Sequence, residues 1–500
     1  MGRTAFRRLL ALCLALAAGG CGSLAPEYHR PDAPVALDWP GGQQAPAGAG
    51  MTARDIPWQR FFAEPRLHGL IELALRENRD LRVAVLNIER ARALYQIQRA
   101  AQFPSVDVSA LESAQRTPGS LSPSGQALTS HQYSLSVGIS SYELDFFGRV
   151  QSLREQALQE FLGTVEARRA AQITLVAEVA ADYLLLAADQ ERLKLAQDTL
   201  ASQEASYRLT LRSYELGWAS GLDRAQAQTS VDTARADVAS FTSQVEQDLN
   251  LLTLVVGAPL SPDLLPQRGD TGPLTEFADL PAGLPSEVLQ ERPDVLRAER
   301  TLQAAQANIG AARAAFFPRI SLTASAGLAS GDLDSLFKGA SRTWSFLPSI
   351  DLPIFDAGSR RANLRGSEIT RDIAVADYER AIQTAFREVA DALAARRTLN
   401  EQLAARQSLV ESTTLIQRLA DALYRNGTSS YLEVLDAQRS LYSAQQSLIA
   451  VRLARLNNLV TVYKVLGGGW LDARAAPDAA EPVGAVGTGE PAPAATPAGR

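Results

Sequence analysis

Two periodicities alternate along this chain. From 149 to 216 and again from 359 to 426 there is no proline, and glycine interrupts only early, at Gly163 and Gly366. In the first stretch Val176, Val179, Ala180 and Tyr183 share one helical face, and in the second Phe386, Val389, Ala390 and Leu393 repeat that stripe. Each stretch predicts a helix of roughly 100 Å if continuous, at about 1.5 Å per residue. Helices that long belong to coiled coils or helical tubes. A second helix follows each, over 222–256 and 431–466, so the pattern predicts two helical hairpins. Upstream of each hairpin the period changes to two. VDVSALES (106–113) and YSLSVGIS (133–140) alternate in one place, ISLTASAGL (320–328) and TWSFLPSIDL (343–352) in the other. Gly/Ser/Pro/Asp-rich loops, TPGSLSPSG (117–125) and SGDLDS (330–335), join the members of each pair, predicting two β-hairpins.

The same plan is written twice. YELGWASGLDRAQAQTS (214–230) and YRNGTSSYLEVLDAQRS (424–440) share seven of seventeen positions at an offset of 210, among them Gly217/Gly427, Ser220/Ser430 and Leu222/Leu432. Gly148 answers Gly358 and Gly257 answers Gly467 at the same offset, and RAAQFPSVDV (99–108) answers RAAFFPRISL (313–322) at 214. This is duplication. Gly217 and Gly427 fall where the long helices must end, suiting a left-handed closing residue. Ser220 and Ser430 can cap the helices that follow.

Strands of about ten residues with alternating polarity are long enough to cross an outer membrane. Four strands cannot close into a barrel, and an open sheet edge in lipid leaves backbone groups unsatisfied at a cost of several kcal/mol each. If these hairpins lie in the membrane, several chains must pool strands, and a small cyclic homo-oligomer would do so.

Composition adds an address. MGRTAFRRLLALCLALAAGGC has a basic start, an apolar run from Leu9 to Ala18 too short to span a bilayer, and small residues before Cys21, as in a secretory signal. No later segment reads as apolar enough to cross a membrane as a helix. Cys13 lies inside the leader, so the mature chain holds Cys21 alone and forms no internal disulfide. Ala18-Gly19-Gly20-Cys21 resembles a bacterial lipobox, with alanine where leucine is usual, which makes Cys21 the candidate lipidation site. Gly22, which is not aspartate, favours the outer membrane by analogy with lipoprotein sorting. An ordinary leader with an incidental cysteine is the alternative. A net charge of −6 gives no reason to expect nucleic acid. There is no G-x-S-x-G, Walker A or G-x-G-x-x-G motif, and His29, His68 and His131 are scattered, so no catalytic, cofactor-binding or metal site is expected and the chain does not read as an enzyme.

Several segments carry a family resemblance: W-x-x-FF-x-x-P-x-L-x-x-LI at 58–71, AL-x-x-N-x-DL at 74–81, LPAGLPSEVLQERPDVLRAE at 280–299, NGTSSYLEVLDAQRSLYSAQQ at 426–446 and VYKVLGGGW at 462–470. The chain resembles the TolC-like outer-membrane efflux factors of Gram-negative bacteria, in the lipoprotein (NodT-like) branch that serves RND-type multidrug pumps. The resemblance implies a mainly α protomer with a membrane β portion, trimerising into a 12-stranded β-barrel continued by a 12-helix α-barrel in the periplasm. It implies a passive export conduit for drugs and other small molecules, linked to an inner-membrane transporter by a periplasmic adaptor that docks on the tips at Gly217, Ser220 and Leu222 and at Gly427 and Ser430. It further assigns Leu432, Asp436 and Arg439 to the periplasmic constriction. From the residues alone, Asp436 and Arg439 read as a solvated i, i+3 pair. Gln226 and Thr229 replace them in the first repeat, so only the second hairpin can carry that chemistry.

The expected organisation is a signal peptide at 1–20, a lipid-anchored tether at 21–57 and a first repeat at 58–256, with a β-hairpin at about 105–142 and a helical hairpin at 149–256. A connector at 257–285 leads to a second repeat at 286–470, with a β-hairpin at about 319–353 and a helical hairpin at 359–466. A disordered Ala/Pro/Gly-rich tail occupies 471–500. The related alternatives are the exit channel of a metal-efflux or type I protein-secretion system. A pore-less periplasmic coiled-coil tethering lipoprotein is the rival from a different class, and it leaves the β-hairpins unexplained.

Overall fold

The structure is a computed structural model that describes residues 23–36, 39, 56–123, 125–266 and 286–470. The leader, Cys21, residues 40–55, the greater part of the connector and the tail at 471–500 lie outside the described residues. The elements run α1 (Trp58–Phe61), α2 (Pro65–Glu77), α3 (Arg79–Ala100), β1 (Val106–Thr117), β2 (Leu128–Glu143), α4 (Arg149–Glu215) and α5 (Gly221–Val256). The second repeat follows with α6 (Pro293–Ala314), β3 (Arg319–Ser330), β4 (Arg342–Asp351), α7 (Ser359–Arg425) and α8 (Tyr431–Val465). The duplication is kept in length: α4 and α7 each have 67 residues. The returning helices have 36 and 35.

The main core is a belt around the middle of the bundle. Val176, Val179, Ala180 and Tyr183 of α4, Tyr378, Ile382 and Val389 of α7, Leu252 and Val256 of α5 and Val460 of α8 close on Trp58, Phe61, Phe62, Leu70 and Ile71. Phe61 stacks on Tyr463 at 3.9 Å between ring centroids, and the Tyr463 hydroxyl donates to the Ile56 carbonyl at 2.6 Å. Truncating an aromatic here costs about 3–5 kcal/mol. One expectation changes. The Arg149–Glu215 helix does contain an 18-residue window apolar enough to cross a membrane, and 61% of that window is buried inside the protein. Its apolarity belongs to the belt.

Each repeat is tied to this belt by the residue that precedes its upper helix. Asn78 donates to the Val255 carbonyl at 2.7 Å and accepts from the Leu81 amide at 2.7 Å. Arg292, at the matching place, donates to the Val465 carbonyl at 2.9 Å and pairs with Asp294 at 2.7 Å and Glu388 at 2.8 Å. The duplicated backbone thus carries one clamp in two chemistries, a neutral amide and a guanidinium between two carboxylates.

The strand pairs do not stand apart. They form one antiparallel sheet in the order β1-β2-β3-β4, joined between the repeats by β2 and β3. β1 and β2 run further than their alternation suggests, because Gln115, Arg116 and Thr117 keep pairing with Ser130, Thr129 and Leu128. The hydrogen-bond ladder continues past the point where side-chain alternation stops.

Residues 23–30 lie along α6 as a strap, and Ala33 and Val35 beyond it pack against the belt. Arg30 forms a two-pronged pair with Glu299 at 2.9 and 2.6 Å, Tyr28 donates to the same carboxylate at 2.9 Å, and Arg313 donates to the Leu24 carbonyl at 3.2 Å. The strap ends with Ser23 beside Ser152 at 3.1 Å, near the start of α4.

Candidate functional site

Both hairpin tips close in the same way. Gly217 has φ of +78° and Gly427 has φ of +74°, a left-handed conformation that costs a residue bearing Cβ about 1–2 kcal/mol. The Gly217 amide donates to Tyr214 at 2.9 Å and the Trp218 amide to Ser213 at 2.8 Å. At the second tip the Gly427 amide donates to Tyr424 at 2.9 Å and the Thr428 amide to Leu423 at 3.0 Å. These paired bonds satisfy carbonyls that a helix end leaves free.

The next turns differ. Ser220 caps α5: its hydroxyl accepts from the Asp223 amide at 3.1 Å, while the Asp223 carboxylate accepts from the Ser220 amide at 2.9 Å. This reciprocal capping box satisfies two backbone donors. Ser430 occupies the equivalent place but makes no side-chain cap bond, contrary to the expectation from its sequence position. Glu433, which would complete a second box, instead accepts from the Ser429 hydroxyl. Leu222 is exposed, and Trp218, which the sequence reading passed over, is 82% exposed at the first tip. Arg224 lies over the Tyr214 ring at 4.8 Å.

Leu432, Asp436 and Arg439 share the exposed face of α8, and Leu432 is 49% exposed. Asp436 and Arg439 approach to 3.9 Å with side chains 68% and 59% exposed, so within one chain they are a solvated pair contributing at most about 0.5 kcal/mol. The opposite face is buried. Tyr431, Val434 and Leu435 form a small cluster with Ala227 of the first hairpin, flanked by Tyr207 and Ala420. The tips of the two hairpins therefore pack side by side while the Leu432–Asp436–Arg439 stripe stays uncovered.

At the other end, the sheet separates its two faces by polarity. Val108, Val137, Ala326 and Trp344 make one cross-strand row, and Val106, Ile139, Ala324 and Phe346 another. The intervening rows are Asp107, Gly138, Ser325 and Ser345, and Ser109, Ser136, Gly327 and Thr343. On the polar face the Ser325 and Ser345 hydroxyls meet at 2.7 Å, as do those of Ser321 and Ser349. Val106, Val108, Trp344, Phe346 and Ile350 on the apolar face are exposed. A sheet apolar on one side and serine-rich on the other suits lipid outside and water inside.

His29, His68 and His131 lie in the strap, in α2 and in β2, and the fold does not bring them together. Among the described residues no group of three or more His, Cys, Asp or Glu is arranged to hold a metal ion.

Comparison with known proteins places this architecture. A family model described as "Outer membrane efflux protein" matches residues 70–258 and 284–468. The chain is 50% identical over 473 residues to the probable efflux pump outer membrane protein TtgC of Pseudomonas putida, covering 93% of this chain and 96% of that one. Among solved structures it is similar to a membrane protein from Pseudomonas aeruginosa, with a TM-score of 0.83 and 42% identity over 89% of this chain and all of that one. It is also similar to the open state of the Neisseria gonorrhoeae MtrE outer membrane channel, with a TM-score of 0.80 and 38% identity over 90% of this chain and 99% of that one.

Proposed function

The chain belongs to the outer membrane efflux protein family, and on that premise we propose that it is the outer-membrane channel of a tripartite efflux pump, a passive conduit for drugs and other small molecules. It resides in the outer membrane, as its relatives do. The observation that carries the reading is the sheet: four strands with one apolar and one polar face, whose outer strands β1 and β4 each lack, among the described residues, a neighbour on one side. Such edges are untenable in lipid unless other strands cover them. Three copies supply twelve strands and continue below as a tube of helical hairpins, so the functional unit is a homotrimer. The apolar rows face outer-membrane lipid and the serine rows face the aqueous lumen.

In this reading the tips at Gly217, Ser220, Leu222, Gly427 and Ser430 receive a periplasmic adaptor, which connects the channel to an inner-membrane transporter of RND type. Leu432 and Asp436 narrow the resting conduit, since threefold symmetry triples each side chain at one height. Three carboxylates near one axis repel unless compensated, and Arg439 is the cation at hand. Acylation of Cys21 accords with the strap, whose described end at Ser23 sits beside Ser152, a few residues below the sheet.

The trimer is tested by the native mass of the detergent-solubilised particle: three chains with a β-signal are expected, and a monomer or dimer would overturn the reading. Mass spectrometry of the mature N-terminus tests the anchor. A chain starting beyond residue 21, or an unmodified cysteine, would remove it.

A further inference from the structure

The strand register fixes which side chains the sheet turns outward above its apolar band. On β1 the outward row climbs from Val106 and Val108 to Arg116, and on β4 it climbs from Ile350 and Phe346 through Trp344 to Arg342. Arg342 lies eight residues above Ile350, about 27 Å along the strand and about 20 Å along the membrane normal at the usual tilt, near the top of an apolar band about 25 Å tall. Both arginines are exposed. Among the described residues neither guanidinium has an ion pair or a side-chain hydrogen bond, whereas Arg319, at the foot of the same sheet, pairs with Glu143 at 2.7 Å. Glu112 is the one carboxylate on the outward rows of the four strands; it lies four residues below Arg116 and is faced by His131 at 3.7 Å.

β1 and β4 are the two edges that neighbouring copies bring together. β4 descends over ten residues, and β1 rises over twelve. Pairing every residue of β4 leaves three registers, which set Arg342 opposite Gln115, Arg116 or Thr117 of the partner subunit. Even-numbered residues of both strands face outward, so only one of the three keeps the apolar rows on one side, with Arg342 opposite Arg116 of the partner subunit. Like charges directly across a ladder stand about 4.5–5.5 Å apart at Cβ and repel. An anion between them removes the repulsion. Guanidiniums hold phosphate oxygens through paired, charge-assisted bonds, and the outer leaflet of a Gram-negative outer membrane is phosphorylated glycolipid.

We propose that each seam of the trimer binds a phosphate group of this glycolipid between Arg342 of one chain and Arg116 of the partner subunit, with the acyl chains lying on Trp344 just below. The inference rests on the reading of the functional unit as a homotrimer, because within one chain the two arginines stand on opposite edges of the sheet. Trp344 is 78% exposed and lies two residues below Arg342, at the height where acyl chains meet headgroups. The lipid then ties neighbouring protomers together where the barrel leaves the hydrocarbon.

The test uses full-length trimers in detergent, with three probes: the bisphosphorylated lipid A of lipopolysaccharide, the same lipid freed of its phosphates, and inorganic phosphate. Native mass spectrometry counts bound lipid, and heating follows trimer dissociation. Lipid A should bind at one molecule per seam and raise the dissociation temperature. The dephosphorylated lipid should bind about tenfold more weakly, the effect of losing a charge-assisted pair, and inorganic phosphate at the same concentration should not stabilise the trimer. Arg116→Gln and Arg342→Gln should each weaken lipid A by a similar factor. Arg116→Glu turns the repelling pair into an ion pair, so its lipid-free trimer should dissociate at a higher temperature than wild type and gain nothing from lipid A. Equal binding of the two lipids, or wild-type affinity in either glutamine variant, overturns the site and leaves the trimer standing. Stabilisation by inorganic phosphate equal to that by lipid A overturns the lipid as the ligand, and an Arg116→Glu trimer no more stable than wild type overturns the register. Wild-type particles of monomer or dimer mass overturn the trimer reading, and the site falls with it.

Discussion

The two helical hairpins of this chain share a backbone and differ in chemistry. Both have a long arm of 67 residues, a tip closed by a left-handed glycine, and a clamp on a carbonyl near the end of the returning helix. The first hairpin has a complete capping box at Ser220 and Asp223, with uncharged Gln226 and Thr229 beyond it. The second has an uncapped Ser430, followed by Asp436 and Arg439 on an open face. In mid-hairpin the contrast reverses. The first hairpin encloses Asp182, Asp189 and Asp248, whereas the second has Ala392 and Asn458, joined by a neutral bond from the Asn458 amide to the Ala392 carbonyl at 2.9 Å. Duplication has preserved the arm lengths, the tip glycines and the carbonyl clamps, while side chains near the tips and in mid-hairpin have diverged.

The comparison can be broken most forcibly at the tips. A large charged residue at Gly427, as in Gly427→Arg, meets both a left-handed backbone and the proposed docking surface, and it should abolish efflux in a drug-susceptibility assay while trimers still reach the outer membrane. Unchanged resistance would place docking elsewhere.

A smaller effect separates the two caps. Ser220→Ala should destabilise the first tip by about 1 kcal/mol, the usual worth of a helix N-cap. Ser430→Ala should do almost nothing, because that hydroxyl caps no backbone amide. Amide exchange in the first turns of α5 and α8 reads the difference directly, and equal effects would mean the caps are alike.

The smallest effect concerns pH. Burial, with Glu178 nearby, pushes Asp182 up to about 6. Burial and the hydrogen-bonded Asp189, with Asp182 adding its charge and Arg192 opposing, bring Asp248 to about 6 as well. A carboxyl whose folded value is raised holds its proton more tightly in the native state, so this stabilisation is complete at low pH and fades as pH rises through about 6. Protection of the first hairpin around these residues should therefore be greater at pH 5 than at pH 7.5, after correction for intrinsic exchange. The second hairpin, with Ala392 and Asn458 in these places, should show no such trend. Asp248→Asn, which copies Asn458, should flatten the first hairpin's response, and a slope that survives the change would contradict the assignment.

Much of this was legible in the chain because duplication writes each signal twice. The helix lengths, the tip glycines and the stripe through Tyr183 follow from spacing alone, and the open face of Leu432, Asp436 and Arg439 follows from i, i+4, i+7. Other features depend on partners far away in sequence. Tyr442 and Asp237 lie 205 residues apart, and Arg30 and Glu299 lie 269 apart, with no local pattern to announce either pair. Ser430 shows the limit of a local rule. Ser430-x-x-Glu433 has the spacing of a capping box, as Ser220-x-x-Asp223 does, yet the neighbouring Ser429 takes the carboxylate. The continuation of β1 and β2 past their alternating stretch was hidden for a related reason, because ladder bonds do not require an apolar face. Trp218 was readable as a large aromatic in a polar tip, and its exposure is the kind of signal a pattern search for buried stripes discards.

The most direct test of the account is a paired recording in planar bilayers, with matching substitutions in the two hairpins of the trimer. Leu432→Ala with Asp436→Ala should raise single-channel conductance and weaken the cation preference that a carboxylate ring confers. The equivalent pair Leu222→Ala with Gln226→Ala should leave both near wild type. Equal responses from the two hairpins, or wild-type conductance and selectivity in the second-hairpin variant, would contradict the claim that the second tip alone closes the conduit.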